Sequence, residues 1–255
     1  KCSNISPIYK KGERYKPANY RPVALTSITC KLVEHIICHS LMEHLDKNNI
    51  LYKLQFGFRH GHSCDTQLLQ LFQDLAENVH SKLQTDVAIM DFAKAFDTVS
   101  HQRLLAKLSW YGVKGKVNNW IGSFLTNRTQ RVVVDGYQSD EAPVTSGVPQ
   151  GSVLGPALFL VFINDLPDYV SNSTVRLFAD DCIMYKAINS LDDCRKLQRD
   201  LLGLEQWEQH WLMGFNVDKC SVMSATNKRK PFIFEYKLHG KILEKVSFSK
   251  YLGVT

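Results

Sequence analysis

The chain has 255 residues, 44% of them hydrophobic, which is enough to bury one large core or two closely packed subdomains. Its longest apolar run, residues 153–163, is interrupted by Gly155 and Pro156. Because a membrane span needs roughly 20 apolar residues, the sequence predicts no membrane partner. Seven cysteines without a Cys-x-x-Cys pair argue against a disulfide framework or a zinc knuckle and predict a reducing, intracellular compartment.

The positive charge is concentrated in the first quarter of the chain. Residues 1–60 carry ten Lys or Arg and four Asp or Glu, which accounts for the whole net charge of +6, while the remaining residues carry 21 of each sign. A basic segment beside a neutral body is typical of a face that contacts nucleic-acid phosphates. A merely solvated surface would show the same charge pattern.

The predicted elements mix helices and strands without regular alternation, which favours an α+β fold with helices on one face of a sheet. In chain order they are a basic loop at 7–22, helices at 30–47 and 63–79, a buried strand at 87–90, a helix at 100–111, a hairpin at 131–138, an apolar helix after the glycine-rich turn at 146–151, a hairpin around residue 180, a helix at 190–214 and further short strands. His35 and His39 could pair on a metal, but no third ligand is near, so both are predicted to be surface residues.

Two adjacent aspartates interrupt an apolar, strand-like run. Asp180 and Asp181 lie between the predicted strands 177–179 and 182–185. One interpretation is a tight hairpin turn exposed to water. The other keeps the hairpin but makes its corner a binding site for hard divalent cations, which prefer carboxylate oxygens. The pair alone leaves both open.

A third aspartate favours the second interpretation. Asp91 follows the buried strand 87–90, a position that exposes its carboxylate at the end of a sheet. A strand-end aspartate and a hairpin-corner pair could together hold two Mg²⁺ ions about 4 Å apart, as phosphoryl transfer requires.

These residues lie in motifs that resemble those of a known family. The segments "DFAKAFDTVSH", "SGVPQGSVLGPALFLVFINDLP" and "FADD" occur in this order and resemble motifs A, B and C of reverse transcriptases, most closely those of non-LTR (LINE-type) retrotransposons. The segments "NYRPVALTS", "QFGFRHGHS", "NVDKCSVM" and "YLGVT" resemble the flanking fingers, D and primer-grip motifs. The resemblance therefore covers nearly the whole chain.

The resemblance implies a role for each matching position. The implied catalytic residues are Asp91, Asp180, Asp181 and Lys219, the last as proton donor to pyrophosphate. The implied metal ligands are Asp91, Phe92 through its carbonyl, Asp180 and Asp181, holding two Mg²⁺ ions, with Mn²⁺ as a substitute. The implied nucleotide-binding residues are Phe92, Phe96, Gln150, Gly151 and Arg21, with Lys10 and Lys11 as further candidates. The implied template and primer contacts are Arg59, Tyr251, Leu252 and Gly253.

The resemblance also implies a fold and partners. The fold would be the fingers and palm of a right-hand polymerase, with fingers at 1–85, a palm at 86–255 and an inserted hairpin near 112–147. The antiparallel palm sheet would be backed by helices. The chain would end at the primer grip, without the thumb and endonuclease regions of LINE-type proteins. Its partners would be an RNA template, a DNA primer or target and dNTPs, and its action would be nuclear during target-primed synthesis.

Several alternatives remain at this point. Phe96 could be an ordinary core residue, Arg59 a surface charge, Gln150 the start of a helix and Lys219 a solvated strand end. At the level of function, the predicted activity is RNA-directed DNA synthesis. The alternatives are a nucleic-acid-binding remnant that cannot extend primers and a two-metal nuclease, although a nuclease would need no dNTP pocket.

Overall fold

The computed structural model describes residues 1–255. The helices are α1 (Ile28–Lys47), α2 (Cys64–His80), α3 (Ala95–Thr98), α4 (His101–Trp110), α5 (Gly115–Leu125), α6 (Gly155–Ile163) and α7 (Leu191–Trp211). The strands are β1 (Cys2–Tyr9), β2 (Tyr20–Leu25), β3 (Gln84–Met90), β4 (Arg128–Val134), β5 (Tyr137–Gln138), β6 (Ala142–Val144), β7 (Thr174–Phe178), β8 (Asp181–Ile188), β9 (Ser221–Ala225), β10 (Lys237–Leu238), β11 (Lys241–Ile242) and β12 (Glu244–Val246). None of the helices has the length and apolar character needed to cross a membrane.

The chain forms two compact units. The first unit consists of Lys1–Leu51 and Phe96–Phe162, and the second of Tyr52–Ala95 and Ile163–Thr255. This partition differs from the predicted boundary between residues 85 and 86. The assignment of fingers to 1–85 and palm to 86–255 is a functional division, and it stays a prediction.

The first unit contains a sheet with the strand order β2-β1-β4-β5, in which β6 also pairs with β4. β1 is antiparallel to β2 and parallel to β4. The predicted hairpin at 131–138 is confirmed: Asp135 and Gly136 both have positive φ, as a two-residue type I′ turn requires. The predicted loop at 7–22 is wrong at both ends, because β1 and β2 extend into it and leave only residues 10–19 outside the strands.

The second unit is built on a five-stranded sheet with the order β12-β9-β3-β8-β7, antiparallel except for the β12–β9 pair. α2 covers one face, where Leu71 packs with Val87, Ile183 and Tyr185. Neighbouring strand residues point to the opposite face, and Met184 is buried there too. Side chains on both faces of this central part of the sheet are therefore buried, and α2 covers the face that carries Val87 and Ile183.

Side-chain caps determine where three of the helices begin. Ser63 and Ser190 each form a reciprocal capping box with the third helical residue, which fixes the starts of α2 and α7 close to their predicted positions. In α1, Ser27 accepts a hydrogen bond from the Cys30 amide, so the helix begins at Ile28 rather than at Cys30. His35 and His39 of this helix are exposed, as predicted.

Candidate active site

The first component of the site lies at the end of β3 in the second unit. Asp91 is the first residue after this strand, and its backbone is held by the segment that precedes β9. The Asn216 amide donates to the Asp91 carbonyl at 2.6 Å, and the Ala93 amide donates to the Gly214 carbonyl at 2.8 Å. Next to it, the Phe92 ring is buried and stacks on Phe215 at 4.3 Å between centroids. The Asp91 carboxylate thus stands on a rigid backbone.

Lys219 is the cation next to Asp91. Its Nζ lies 3.2 Å from Asp91 Oδ1, and both side chains are about half exposed, at 55% and 43% respectively. A solvent-exposed ion pair of this kind contributes little to stability, so the pair leaves both groups available for other partners. Cys220 lies on the buried side of Asp91, and burial raises the pKa of its thiol to about 11, which keeps it neutral.

The second component is the corner between β7 and β8. Phe178 pairs with Asp181 across this hairpin, so Ala179 and Asp180 form a two-residue loop. Ala179 is buried and has φ +53°, whereas Asp180 and Asp181 are exposed. The predicted hairpin around these aspartates is confirmed, and its two carboxylates face water.

Strand register brings the two components together. β3 and β8 are antiparallel, and their last paired residues are Met90 and Cys182. Asp91 and Asp181 each lie one residue beyond this pair, at the same end of the same two strands. Residues opposite each other in such a ladder have Cβ atoms roughly 4.5 to 5.5 Å apart, so the register itself makes Asp91 and Asp181 neighbours.

The carboxylates alone do not form a closed metal site. No group of three or more His, Cys, Asp or Glu side chains is arranged to hold a metal ion. Mg²⁺ in nucleotide-dependent enzymes is usually held by one or two carboxylates together with substrate phosphates and water. Exposed carboxylate oxygens at the end of a rigid sheet are suitable ligands for this kind of open site. The predicted metal ligands are Asp91, Phe92, Asp180 and Asp181. Their oxygen donors are of the kind that Mg²⁺ prefers, and the ligand set stays a prediction.

Phe96 belongs to the first unit, where it is partly buried. Its ring stacks on the fully buried ring of Phe159, with the centroids 4.3 Å apart and the planes at 17°. Its carbonyl accepts a hydrogen bond from the Val148 amide at 2.8 Å. Phe96 therefore has one face fixed by the core while part of the side chain remains accessible.

Gln150 and Gly151 lie in the glycine-rich turn before α6. Gln150 Nε2 donates to Asp97 Oδ1 at 2.9 Å, and the Gln150 carbonyl accepts from the Ala24 amide at 2.7 Å. Gly151 has φ +94°, and a Cβ atom there would lie 3.0 Å from the Ala24 carbonyl oxygen. Asp97 was not among the predicted site residues, although it lies inside the quoted motif A segment and orients the Gln150 side chain.

The basic candidates of the first unit share one hairpin. Arg21 lies in β2 opposite Ile8 of β1, and Lys10 and Lys11 follow β1 directly, with the Lys10 amide bonded to the Asn19 carbonyl. All three basic side chains are exposed. The hairpin therefore concentrates positive charge at its free end.

The template and primer candidates lie in the second unit. Arg59 Nη1 donates to the carbonyls of Tyr52 and Gln55 at 3.2 and 3.4 Å, so part of this guanidinium supports its own loop. The Tyr251 hydroxyl accepts from Gln67 Nε2 at 3.1 Å, and burial raises the pKa of this hydroxyl. Leu252 and Gly253 form a turn with positive φ at both residues.

The family model described as "Reverse transcriptase (RNA-dependent DNA polymerase)" matches residues 8–255. The chain belongs to this family, and the predicted resemblance is confirmed. Among curated proteins, the chain is 32% identical to the RNA-directed DNA polymerase from mobile element jockey of Drosophila melanogaster, over 100% of the chain and 29% of that protein. It is also 32% identical to the probable RNA-directed DNA polymerase from transposon BS of the same organism, again over 100% of the chain and 29% of that protein. The chain thus spans about three tenths of the length of these relatives.

Solved structures confirm the fold class. The telomerase from Candida albicans, solved in complex with a fragment of telomeric RNA, superimposes with a TM-score of 0.64 over 98% of this chain and 46% of that one. The apo telomerase from Candida tropicalis gives a TM-score of 0.61 over 90% of this chain and 51% of that one. Sequence identity is 11% in both cases, so these likenesses show the fold alone. They support the predicted α+β polymerase architecture.

Proposed function

We propose that the chain is the polymerase portion of a non-LTR retrotransposon protein and extends the 3′-hydroxyl of a DNA primer with dNTPs on an RNA template. One observation carries this proposal. In a chain of the reverse transcriptase family, strand register makes Asp91 and Asp181 neighbours at one end of β3 and β8, with Asp180 in the adjoining corner.

The three aspartates would hold two Mg²⁺ ions, or Mn²⁺ in their place, together with the Phe92 carbonyl. When bound, these ions would stabilise the negative charge that develops on the attacking and leaving oxygens. Without them, the three carboxylates repel one another, and the ion pair with Lys219 offsets part of that repulsion at Asp91.

The remaining residues would bind, orient and move a proton. The Lys219 ammonium would donate its proton to the departing pyrophosphate and recover one from water. In the first unit, the Arg21 guanidinium would bind triphosphate oxygens in the bidentate geometry that suits phosphate, with Lys10 and Lys11 adding charge. Gln150, held by Asp97, and Gly151 would line the nucleotide pocket, and the fixed ring of Phe96 would lie under the sugar.

Arg59 and the turn at 251–253 would contact template and primer. Tyr251 is anchored through Gln67 of α2, so the turn is tied to the core of the second unit. The relatives are longer than this chain, and we infer that thumb and endonuclease regions belong to the same protein and that it acts in the nucleus during target-primed synthesis. Cell fractionation of the full-length protein would test the last point.

The test is extension of a labelled DNA primer on an RNA template by the 255-residue chain, with and without Mg²⁺. We expect Mg²⁺-dependent extension, and a loss on the order of 10²- to 10³-fold in Asp91→Asn, because one preorganised charge at the reacting centre is removed. Asp135→Asn is the matched control. It makes the same chemical change in an exposed turn where Asn is equally suited to positive φ, so extension should be unchanged.

The other functions give different results in this assay. A binding remnant would bind the labelled RNA–DNA hybrid without extending the primer. A two-metal nuclease would shorten the labelled primer. Undiminished extension by Asp91→Asn would show that this carboxylate has no part in the chemistry.

A further inference from the structure

The corner that carries Asp180 has a backbone conformation that needs outside support. Ala179 precedes Asp180 in the two-residue loop and has φ +53°. A non-glycine residue is uncommon in this left-handed region and stays there when its surroundings hold it. The orientation of the Asp180 carboxylate therefore depends on the groups that contact Ala179.

The segment before Arg59 supplies these groups. The side-chain oxygen of Gln55, a buried residue, accepts hydrogen bonds from the Ala179 amide at 3.0 Å and from the Gly57 amide at 2.8 Å. The backbone of the same segment pairs with β7: the Leu177 amide donates to the Leu54 carbonyl at 3.0 Å, and the Phe56 amide donates to the Leu177 carbonyl at 2.9 Å. One glutamine thus ties the corner to a segment that is itself bonded to the adjoining strand.

Gly57 allows the close approach that this bond requires. A Cβ atom at this position would lie 2.2 Å from the Ala179 amide nitrogen and 2.9 Å from the Phe178 carbonyl carbon. Both neighbours are backbone atoms, which cannot rotate away as a flexible side chain could. Any other residue at position 57 must displace the corner.

We propose that Gln55 and Gly57 are positioning residues for Asp180. Gln55 fixes the amide of Ala179, and this bond sets the direction in which the following carboxylate points. The proposal rests on the proposed polymerase function, because it assigns the geometry to a carboxylate of that site. Displacement of a reacting group by about 1 Å can lower a rate about a hundredfold, so loosening the corner should slow the chemical step without removing any group that contacts substrate.

Amide hydrogen exchange tests the contact without requiring activity. Gln55→Met keeps the length of the side chain but removes the acceptor, and the Ala179 amide should then exchange at least tenfold faster, while the Ala88 amide in the middle of β3 changes little. Gln84→Met is the matched control, because Gln84 is also buried and its side chain bonds to Asp86 and Phe232 in the same unit. It should leave the Ala179 amide protected.

Two more variants make the exchange experiment decisive. Gln55→Glu keeps an acceptor oxygen and should restore protection of Ala179. Gly57→Ala should raise the exchange rate of the Ala179 amide as Gln55→Met does. It serves as the independent variant if the methionine variant fails to fold. An unchanged exchange rate of the Ala179 amide in both Gln55→Met and Gly57→Ala would overturn the proposal. An equal rise in the exchange rates of the Ala179 and Ala88 amides would also overturn it.

Primer extension then distinguishes positioning from general destabilisation. Gln55→Met should lower kcat about ten- to a hundredfold with the KM for dNTP within threefold, and Gln84→Met should change neither by more than threefold. Equal losses in the two variants would refute the positioning role. Absence of extension by the unmodified chain would count against the proposed function, whereas the exchange result would still decide whether Gln55 holds the corner.

Discussion

Phe96 offers the sharpest test of how the first unit would select a nucleotide. Its ring is stacked on the buried Phe159 ring, so it cannot easily move aside for a larger sugar. If the sugar lies over this ring, as proposed, a 2′-hydroxyl would collide with the ring, and the ribonucleotide would be displaced by about 1 Å or less. Such a shift costs about a hundredfold in rate, equivalent to about 2.7 kcal/mol of activation free energy.

Phe96→Val should remove this discrimination. We expect the variant to use dNTPs within tenfold of the parent and to gain about a hundredfold in relative ribonucleotide incorporation. The assay is single-nucleotide primer extension with matched dNTP and ribonucleotide concentrations, reported as a ratio of kcat/KM values. The ratio cancels any general loss of active protein.

Thermal melting must accompany the kinetics because Phe96 also packs. Complete truncation of a core phenylalanine costs about 3 to 5 kcal/mol, but Phe96 is partly buried and valine keeps some contact, so about 1 to 2 kcal/mol is expected. Phe124→Val is the matched control, because Phe124 is also partly buried and stacked, on Trp120 in the same unit. A folded Phe96→Val protein that rejects ribonucleotides as well as the parent does would refute the reasoning.

Three further outcomes follow from charge, burial and exposure. Binding of an RNA–DNA hybrid should weaken with salt, and Lys10→Ala combined with Arg21→Ala should flatten the logarithmic slope by about 0.7 to 0.9 for each phosphate that these side chains neutralise. The free energy of unfolding should fall above pH 10, since burial raises the pKa of Tyr236 and the folded chain keeps the proton that the unfolded chain releases. Tyr236→Phe should reduce that slope by up to about 1.4 kcal/mol per pH unit. Iodoacetamide should modify exposed Cys2 quickly and buried Cys182 only upon unfolding, as read by mass spectrometry.

Each of these outcomes has a control in the same chain. Arg229→Ala combined with Lys230→Ala removes the same two kinds of exposed charge from the second unit, and an equal change of slope would show that the effect is not specific to the β1–β2 hairpin. Tyr137→Phe makes the same chemical change at an exposed side chain, and an equal effect of this variant on the slope would contradict the assignment to the burial of Tyr236. Denatured chain should react at all seven cysteines, and rapid modification of Cys182 in the native chain would contradict its burial.

Local sequence signals predicted several helices and one hairpin of the fold. The capped, periodic helices α2 and α7 and the Asp135–Gly136 hairpin lie close to their predicted bounds, because caps and turn residues act within a few positions. Contacts distant in sequence were not predictable in this way. The parallel pairing of β1 with β4 and the burial of both faces of β3 depend on which segments meet, and no local pattern encodes that.

In the candidate site, too, residues with a local sequence signal were predictable and residues that act through distant contacts were not. Asp91 and the Asp180–Asp181 corner were evident because charged residues interrupt apolar strands. The supports of these residues were not evident: Gln55 and Gly57 are far from Ala179 in sequence, and the role of Asp97 follows only from its bond to Gln150 in the folded chain. The positive φ of Ala179 could not be predicted from the sequence, because alanine rarely adopts this conformation. Glycine adopts it readily, so the positive φ of Gly151 agrees with its residue type.

The placement of Asp180 and Asp181 bears on both the stability of the fold and the proposed chemistry. Asp180 and Asp181 are exposed, and the residues immediately behind them, Ala179 and Cys182, are buried. The exposed carboxylates therefore retain much of their hydration, whereas the residues beneath them are buried. A buried acidic pair would instead depend on a cation for stability. Asparagine substitutions at these positions should accordingly report on the chemistry of the site with little contribution from unfolding.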